Sequence, residues 1–78
     1  MIYLRNVRKE GNLIKAEYSA EDTEVYFDIS LEGTDEATFK GDCLEGYKNH
    51  LGHAKWFLYD IAVGKRELPK KDGYIMWY

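Results

Sequence analysis

The chain has 78 residues, of which 45% are hydrophobic and 32% charged, the balance of a single globular domain rather than a disordered segment. No apolar run approaches the roughly 20 residues that a bilayer span needs, and no charged-then-apolar leader opens the chain. With a formal net charge of −3, these features predict one domain over residues 1–78 and exclude a membrane span, a signal peptide and a multi-domain enzyme.

Three strands are predicted in the first third of the chain. Residues 2–9 mix apolar and basic side chains, and residues 10–12 supply a tight turn. Apolar and polar side chains then alternate over residues 13–19, which is the period of a half-buried strand. The alternation is clearest over residues 25–31, where Val25 is predicted to begin the apolar face.

A single helix is predicted after an acidic loop at residues 32–41, which has turn residues but no sustained period. Asp42 with Glu45 three residues later is typical of an N-cap and its capping-box partner. Large apolar side chains then recur at spacings of three and four from Leu44 to Ile61, which places them on one helix face.

The sequence allows two starting points for this helix. Gly46 and Gly52 each cost a helix about 1 kcal/mol relative to alanine, so a start near Tyr47 or Asn49 is the alternative. Gly64 is placed to end the helix, because glycine readily adopts the left-handed conformation that follows a last turn.

A fourth strand is predicted at residues 74–78, which are apolar on both faces and should therefore be covered on both sides. The order of elements is then β-β-β-α-β. This order predicts an α+β fold, in which one helix packs across one face of a four-stranded, mostly antiparallel sheet. The connection lengths allow the fourth strand to lie beside either the first or the third strand.

The charges are divided into three segments along the sequence. Residues 1–16 and residues 46–78 are each basic, while residues 17–45 carry ten acids against the single base Lys40. An acidic middle between basic ends allows the segments to attract one another in the fold. It also leaves an acidic surface that repels nucleic acid and attracts basic partners.

Cys43, His50 and His53 are the only soft metal ligands in the sequence. Cys43 lies seven residues before His50, about 10.5 Å along a continuous helix, whereas zinc bonds are only about 2.0–2.3 Å long. The three could converge only if Gly46 breaks the helix, and the same distance excludes a Cys43–His50 nucleophile pair. We expect no metal, no cofactor and no catalytic residue, with His50 half-buried, His53 on the surface and Cys43 at the edge of the core.

The single cysteine also bears on where the protein functions. A secreted domain of this size usually carries several disulfides, whereas Cys43 has no partner in the sequence. The sequence therefore favours a cytoplasmic location.

A basic cluster near the end of the chain suggests one possible function. Interleaved bases and aromatic rings suit single-stranded nucleic acid, whose phosphates meet cations while its bases stack on rings. The sequence pI of about 5.3 argues against this function, and bases after a helix also compensate its dipole. A single-stranded nucleic-acid binder is therefore the alternative hypothesis, with the residues Lys65, Arg66, Lys70 and Lys71.

Surplus aromatic side chains support the leading hypothesis. Trp56 falls on the helix face opposite Leu44 and Leu58, and residues 74–78 are all large. At least one Trp should therefore lie outside a one-helix, one-sheet core, and exposed aromatic patches mark interaction surfaces. We expect a small cytoplasmic protein-interaction module that is not an enzyme and that forms a homodimer or binds a protein partner. Its predicted interface residues are Trp56, Tyr59, Trp77 and Tyr78.

Overall fold

The computed structural model describes residues 1–75, which form a four-stranded sheet with one helix packed across it. The elements are the strands β1 (Ile2–Glu10), β2 (Leu13–Ala20), β3 (Phe27–Glu32) and β4 (Gly73–Ile75) and the helix α1 (Lys48–Ala62). The strand order is β3-β2-β1-β4, and each neighbouring pair is antiparallel. The structure therefore confirms the α+β class and the order β-β-β-α-β, and it places the fourth strand beside the first. It contains no helix, among the residues it describes, that is long and apolar enough to cross a membrane.

The core lies between one face of the sheet and the inner face of α1. Alternate side chains of the strands pack against helix side chains that are spaced three and four residues apart. The apolar face of each element therefore lies in the same core layer. Tyr18 is the largest of the fully buried side chains. The buried core cluster consists of Ile2, Leu4, Ile14, Ala16, Tyr18, Ile29, Leu31, Ala54, Phe57 and Leu58.

The beginning of α1 differs from the capping-box prediction. The Asp42 carboxylate accepts a hydrogen bond from the amide of the adjacent Cys43 at 2.8 Å, so it caps no helix. Gly46 has a left-handed φ of +86°, which interrupts any helix that would start at Leu44. The helix begins at Lys48, directly after Tyr47. This agrees with the alternative start near Tyr47 or Asn49 and not with a start after Asp42.

The end of α1 is confirmed at Gly64, whose φ is +83°. The Gly64 amide donates to the Ile61 carbonyl at 3.2 Å, and the Lys65 amide donates to the Asp60 carbonyl at 2.9 Å. This pair of bonds is a Schellman motif, which satisfies carbonyls that the last turn would otherwise leave without a partner.

Two strand predictions were wrong in part. Val25 lies before β3 rather than in it and is 44% exposed, because residues 21–26 connect β2 to β3. The connection starts with a turn in which the Thr23 amide donates to the Ala20 carbonyl. Tyr74 in β4 is 62% exposed, so this strand is not covered on both faces. The reason is that α1 packs against one face of the sheet only. Residues 76–78 of the predicted strand lie outside the described part of the chain.

β1 contains a bulge between Arg5 and Arg8. Two residues, Asn6 and Val7, stand there opposite the single residue Ala16 of β2, which is the arrangement of a β-bulge. Asn6 has a left-handed φ of +53°, an uncommon conformation for a residue other than glycine. The bulge therefore turns the Asn6 backbone out of the ladder between β1 and β2.

The outer edge of β3 is covered by the segment that follows it. Ser30 and Lys40 exchange two backbone hydrogen bonds of 2.9 Å, and the Thr38 hydroxyl accepts the Glu32 amide at 2.9 Å. The predicted loop at 32–41 thus contains a short 3-10 helix, Glu36–Thr38, and packs Phe39 against the core. This edge of the sheet has few backbone groups left for another strand.

Candidate interaction surfaces

An apolar stripe runs along the outer side of α1 and past its end, and we call it the helix stripe. It consists of Trp56, Tyr59, which also packs partly against the core, and Val63, the residue that follows the last helical residue. Their spacing of three and four residues aligns them along the helix, on the side away from the buried Ala54 and Leu58. Trp56 is 46% exposed and Val63 is 37% exposed, whereas Tyr59 is half-buried. The structure therefore places Trp56 outside the core of the described residues.

The two rings of the helix stripe hold each other in place. Trp56 and Tyr59 meet edge to face, with centroids 5.3 Å apart and planes at 85°. The Lys55 ammonium lies 5.2 Å from the Trp56 ring centroid and 3.5 Å from a Glu36 carboxylate oxygen. The exposed Trp56 ring is thus in contact with Tyr59 on one side and near the Lys55 ammonium on the other.

A flat position lies one turn before Trp56, at Gly52. A Cβ atom built on Gly52 would meet nothing within 4 Å, so the helix surface there is open. The outer face of α1 therefore has a projecting ring beside a shallow depression. Trp77 and Tyr78, the other two predicted interface residues, lie outside the described residues.

A second surface lies on the open face of the sheet, the side away from α1. It is a groove of about 420 Å³ flanked by three tyrosines, Tyr3, Tyr26 and Tyr74, which we call the tyrosine groove. The ring centroid of Tyr3 lies 4.8 Å from that of Tyr74, with the planes at 64°. It lies 6.3 Å from the ring centroid of Tyr26, with the planes at 84°. The contact between Tyr3 and Tyr74 follows from the register, because the two residues are paired across β1 and β4.

Charged side chains line the same groove. The Arg5 guanidinium lies 3.5 Å from the Tyr26 ring centroid and donates to Glu17 at 2.5 Å, and this hydrogen bond raises the pKa of Arg5. The ammonium of Met1 donates to Glu21 at 2.8 Å and lowers the pKa of that carboxyl. The groove thus combines aromatic faces with paired charges.

Asp72 closes one side of the tyrosine groove. Its Oδ1 accepts the Asn6 amide at 2.9 Å, and Asn6 is the residue that the bulge turns outward. The bulge in β1 therefore brings a carboxylate from the segment before β4 next to the rings of Tyr3 and Tyr74.

The three soft ligands are not brought together as a metal site. No group of three His, Cys, Asp or Glu side chains within residues 1–75 could hold a metal ion. Cys43 is half-buried with a free thiol. The centroid of the His50 ring lies 4.9 Å from that of the Tyr47 ring, with the two planes tilted at 52°. His53 is half-buried rather than on the surface as predicted, because it lies at the side of α1 and not on its outermost line.

The basic cluster lies in the connection between α1 and β4, with its four side chains exposed. The Arg66 guanidinium lies 4.6 Å from the ring centroid of Phe57, so part of this side chain packs on the core rather than facing a ligand. Nucleic-acid binding through Lys65, Arg66, Lys70 and Lys71 stays a prediction.

No family model, curated protein or solved structure matches this chain. Function is therefore inferred from the chemistry of the two surfaces. The helix stripe exposes apolar side chains, including the Trp56 ring, which suits association between proteins. The tyrosine groove joins π faces to carboxylates, which suits a cation.

Proposed function

We propose that this chain is a small cytoplasmic protein-interaction module, rather than an enzyme, and that it forms a homodimer through the helix stripe. The observation that supports this function is the 46% exposure of Trp56 on the outer face of α1. Tryptophan is among the residues that contribute most to protein–protein binding when a partner covers it. The single cysteine, Cys43, supports the cytoplasmic location.

The shape of the helix stripe favours a second copy as the partner. A two-fold axis makes the same patch face itself, so each feature of the patch must find its complement within the patch. When two copies of α1 pack antiparallel, the projecting Trp56 of each lies over the open Gly52 of the other. Gly52 costs the helix about 1 kcal/mol relative to alanine, and this contact gives the glycine a packing role.

The size of the helix stripe sets the expected affinity. Stable interfaces bury about 800 Å² on each partner, and three apolar side chains supply only part of that area. The stems of Lys48 and Lys55 flank the stripe and extend it. We therefore expect a dimer that dissociates in the micromolar range. The predicted interface residues Trp77 and Tyr78 remain part of this proposal.

Light scattering over a wide dilution series tests the homodimer. The wild-type protein should approach twice its 9.2 kDa mass at high concentration, and Trp56→Ser should stay monomeric with the melting temperature of the dilute, monomeric wild type. Val25→Ser is the matched control, because Val25 is equally exposed but lies off the stripe, and it should dimerise as the wild type does. A Trp77→Ser variant, measured in the same series, tests the C-terminal part of the interface.

Two results would contradict the proposal. One is a monomer at every concentration of the wild-type protein. The other is a Trp56→Ser variant that dimerises as tightly as the wild type, since the helix stripe would then contribute nothing.

A further inference from the structure

The tyrosine groove already holds one cation of the chain itself. The Arg5 guanidinium lies 3.5 Å from the ring centroid of Tyr26, within the roughly 6 Å at which a cation is attracted by a ring face. Within residues 1–75, no cation lies over the rings of Tyr3 and Tyr74. These two rings meet at 64°, and Tyr74 is 62% exposed, so they offer a second aromatic position in the same groove.

The charges of the groove decide the sign of its ligand. Arg5 is paired with Glu17, and Glu21 is paired with the ammonium of Met1. Asp72 accepts the neutral amide of Asn6 and forms no salt bridge among the described residues, although the Arg5 guanidinium also attracts it at longer range. The groove and the groups paired with it therefore contain three carboxylates (Glu17, Glu21 and Asp72) against two cations. This excess of negative charge, next to two aromatic rings, attracts a cation and repels a phosphate or carboxylate.

We propose that the tyrosine groove binds the cationic side chain of a lysine or arginine presented by a partner protein. The alkyl stem lies along the rings of Tyr3 and Tyr74, and the charged group pairs with Asp72. The groove is open along the sheet surface and about 420 Å³ in volume, which admits a side chain that enters with its backbone outside. This surface is on the other side of the sheet from the helix stripe, so the proposal does not depend on the homodimer.

Arg5 shows what the bound state requires. A guanidinium in this groove is held by one ring face and one carboxylate together, Tyr26 and Glu17. Tyr74 and Asp72, which both line the groove, provide the same pair of groups. The groove therefore contains one intramolecular cation site and, beside it, a second set of the same two chemical groups.

Amide chemical shifts of the labelled protein provide the test, with capped pentapeptides as probes. One pair of peptides carries arginine or its neutral isostere citrulline, and a second pair carries lysine or norleucine. The arginine or lysine peptide should shift the amides of residues 3, 21–26 and 72–74 and reach saturation in the millimolar range. The neutral peptides should bind at least fivefold more weakly. Equal shifts from the neutral peptides, or shifts confined to other residues, would overturn the proposal.

Variants separate the groove from general surface charge. Asp72→Asn keeps an oxygen to accept the Asn6 amide but removes the charge, and it should weaken binding at least fivefold. Tyr74→Leu should do the same. Glu32→Gln removes an exposed carboxylate at the far end of the sheet and should bind as the wild type does. Equal weakening by Glu32→Gln would mean that net charge alone attracts the peptide, and the groove would be rejected.

A last arm of the experiment identifies the source of the cation. Free tetramethylammonium should bind more weakly than the cationic peptides, because it lacks the stem and backbone of a protein side chain. Tighter binding of the free cation would reject a protein ligand. The groove variants should leave the dimer mass unchanged, which distinguishes failure of this site from failure of the homodimer.

Discussion

Tyr18 shows how a single residue joins the sheet to the segment before the helix. Its side chain is 1% exposed, and its hydroxyl donates to the Asp42 carbonyl at 2.5 Å. Burial raises the pKa of the Tyr18 phenol to about 12, because the phenolate would have to leave water. The folded protein therefore keeps the phenol neutral, within the core and near the free thiol of Cys43.

The raised pKa predicts a loss of stability at alkaline pH. The unfolded phenol ionises near pH 10, so the stabilising effect is complete below pH 10 and is lost as the pH rises towards 12. Urea unfolding between pH 8 and pH 11.5 should show wild type losing up to about 2 kcal/mol more than Tyr18→Phe. At pH 8 the variant should be less stable than the wild type by about 1 kcal/mol, since removal of the hydroxyl leaves the Asp42 carbonyl without its donor.

An exposed tyrosine provides the control for this measurement. Tyr74→Phe should follow the alkaline slope of the wild type, because its side chain is 62% exposed. Parallel slopes for Tyr18→Phe and the wild type would show that the phenol titrates alike in the folded and unfolded states, and that burial does not raise its pKa.

The bulge of β1 is the element that shapes the tyrosine groove. Asn6 holds a φ of +53°, and its amide points to Asp72 rather than to a neighbouring strand. A bulge inserts one residue and redirects the side chains around it. Without this bulge, the segment before β4 would have no backbone donor to fix Asp72 beside the rings.

Substitutions at Asn6 should therefore depend on backbone conformation more than on side-chain chemistry. Asn6→Gly should keep the stability of the wild type within about 1 kcal/mol, because glycine adopts a positive φ readily. Asn6→Val should cost about 1–2 kcal/mol, because a β-branched residue is strained there. Thermal unfolding measures both, with Lys9→Val on the same strand as a control that should change little. Equal stability of the Gly and Val variants would mean that the strained conformation is not kept.

The elements predicted from the sequence are those with a strong local signal. The hairpin of β1 and β2 follows from the turn residues around Gly11, whose φ is +61°, and from the alternation after them. The helix end follows from Gly64. The helix beginning was missed by the capping-box pattern because Asp42 bonds the adjacent amide instead. A sequence pattern records which residues are three apart, but not which of several nearby amides a carboxylate will choose.

The two surfaces also differ in whether a local sequence signal could predict them. Trp56 was found from the sequence because helical periodicity alone places it opposite the core. The tyrosine groove was missed because Tyr3 and Tyr74 are far apart in the chain, and only the pairing of β4 with β1 brings them together. Connection lengths left that pairing open, so no local signal could have identified the groove.

At the scale of the whole molecule, the sheet and the helix meet closely at Gly41. A Cβ atom there would lie 2.8 Å from Ile29 Cγ2 of β3 and 3.1 Å from both Leu51 Cδ1 of α1 and Phe39 Cζ. The three side chains belong to three different parts of the fold. Any side chain at this position must therefore separate elements that the core holds together.

Gly41→Ala should lower the free energy of unfolding by about 1–3 kcal/mol, the usual cost of overpacking. Gly52→Ala is the matched control, since a Cβ there meets nothing within 4 Å and alanine favours the helix. That variant should gain up to about 1 kcal/mol. Urea unfolding at a protein concentration low enough to keep the chain monomeric gives both values. A neutral Gly41→Ala would mean that the segment before the helix can move away from the sheet.

Ion pairs connect the basic and acidic segments of the sequence in the folded molecule. Arg5 from the basic beginning pairs with Glu17, and Lys55 from the basic end pairs with Glu36, both in the acidic middle. Such exposed pairs contribute little stability each. These pairs instead affect how the chain segments are arranged, since each pair joins two segments of opposite charge.

The covered edge of β3 has a consequence for how copies of this chain can assemble. Exposed strand edges are the usual starting points of fibres, because each added strand presents a new edge to the next. Here the Ser30–Lys40 hydrogen bonds and Thr38 occupy one edge of the sheet. Within residues 1–75, a strand added at this edge would first have to displace these hydrogen bonds. The segment that follows β3 therefore protects the β3 edge against fibre growth.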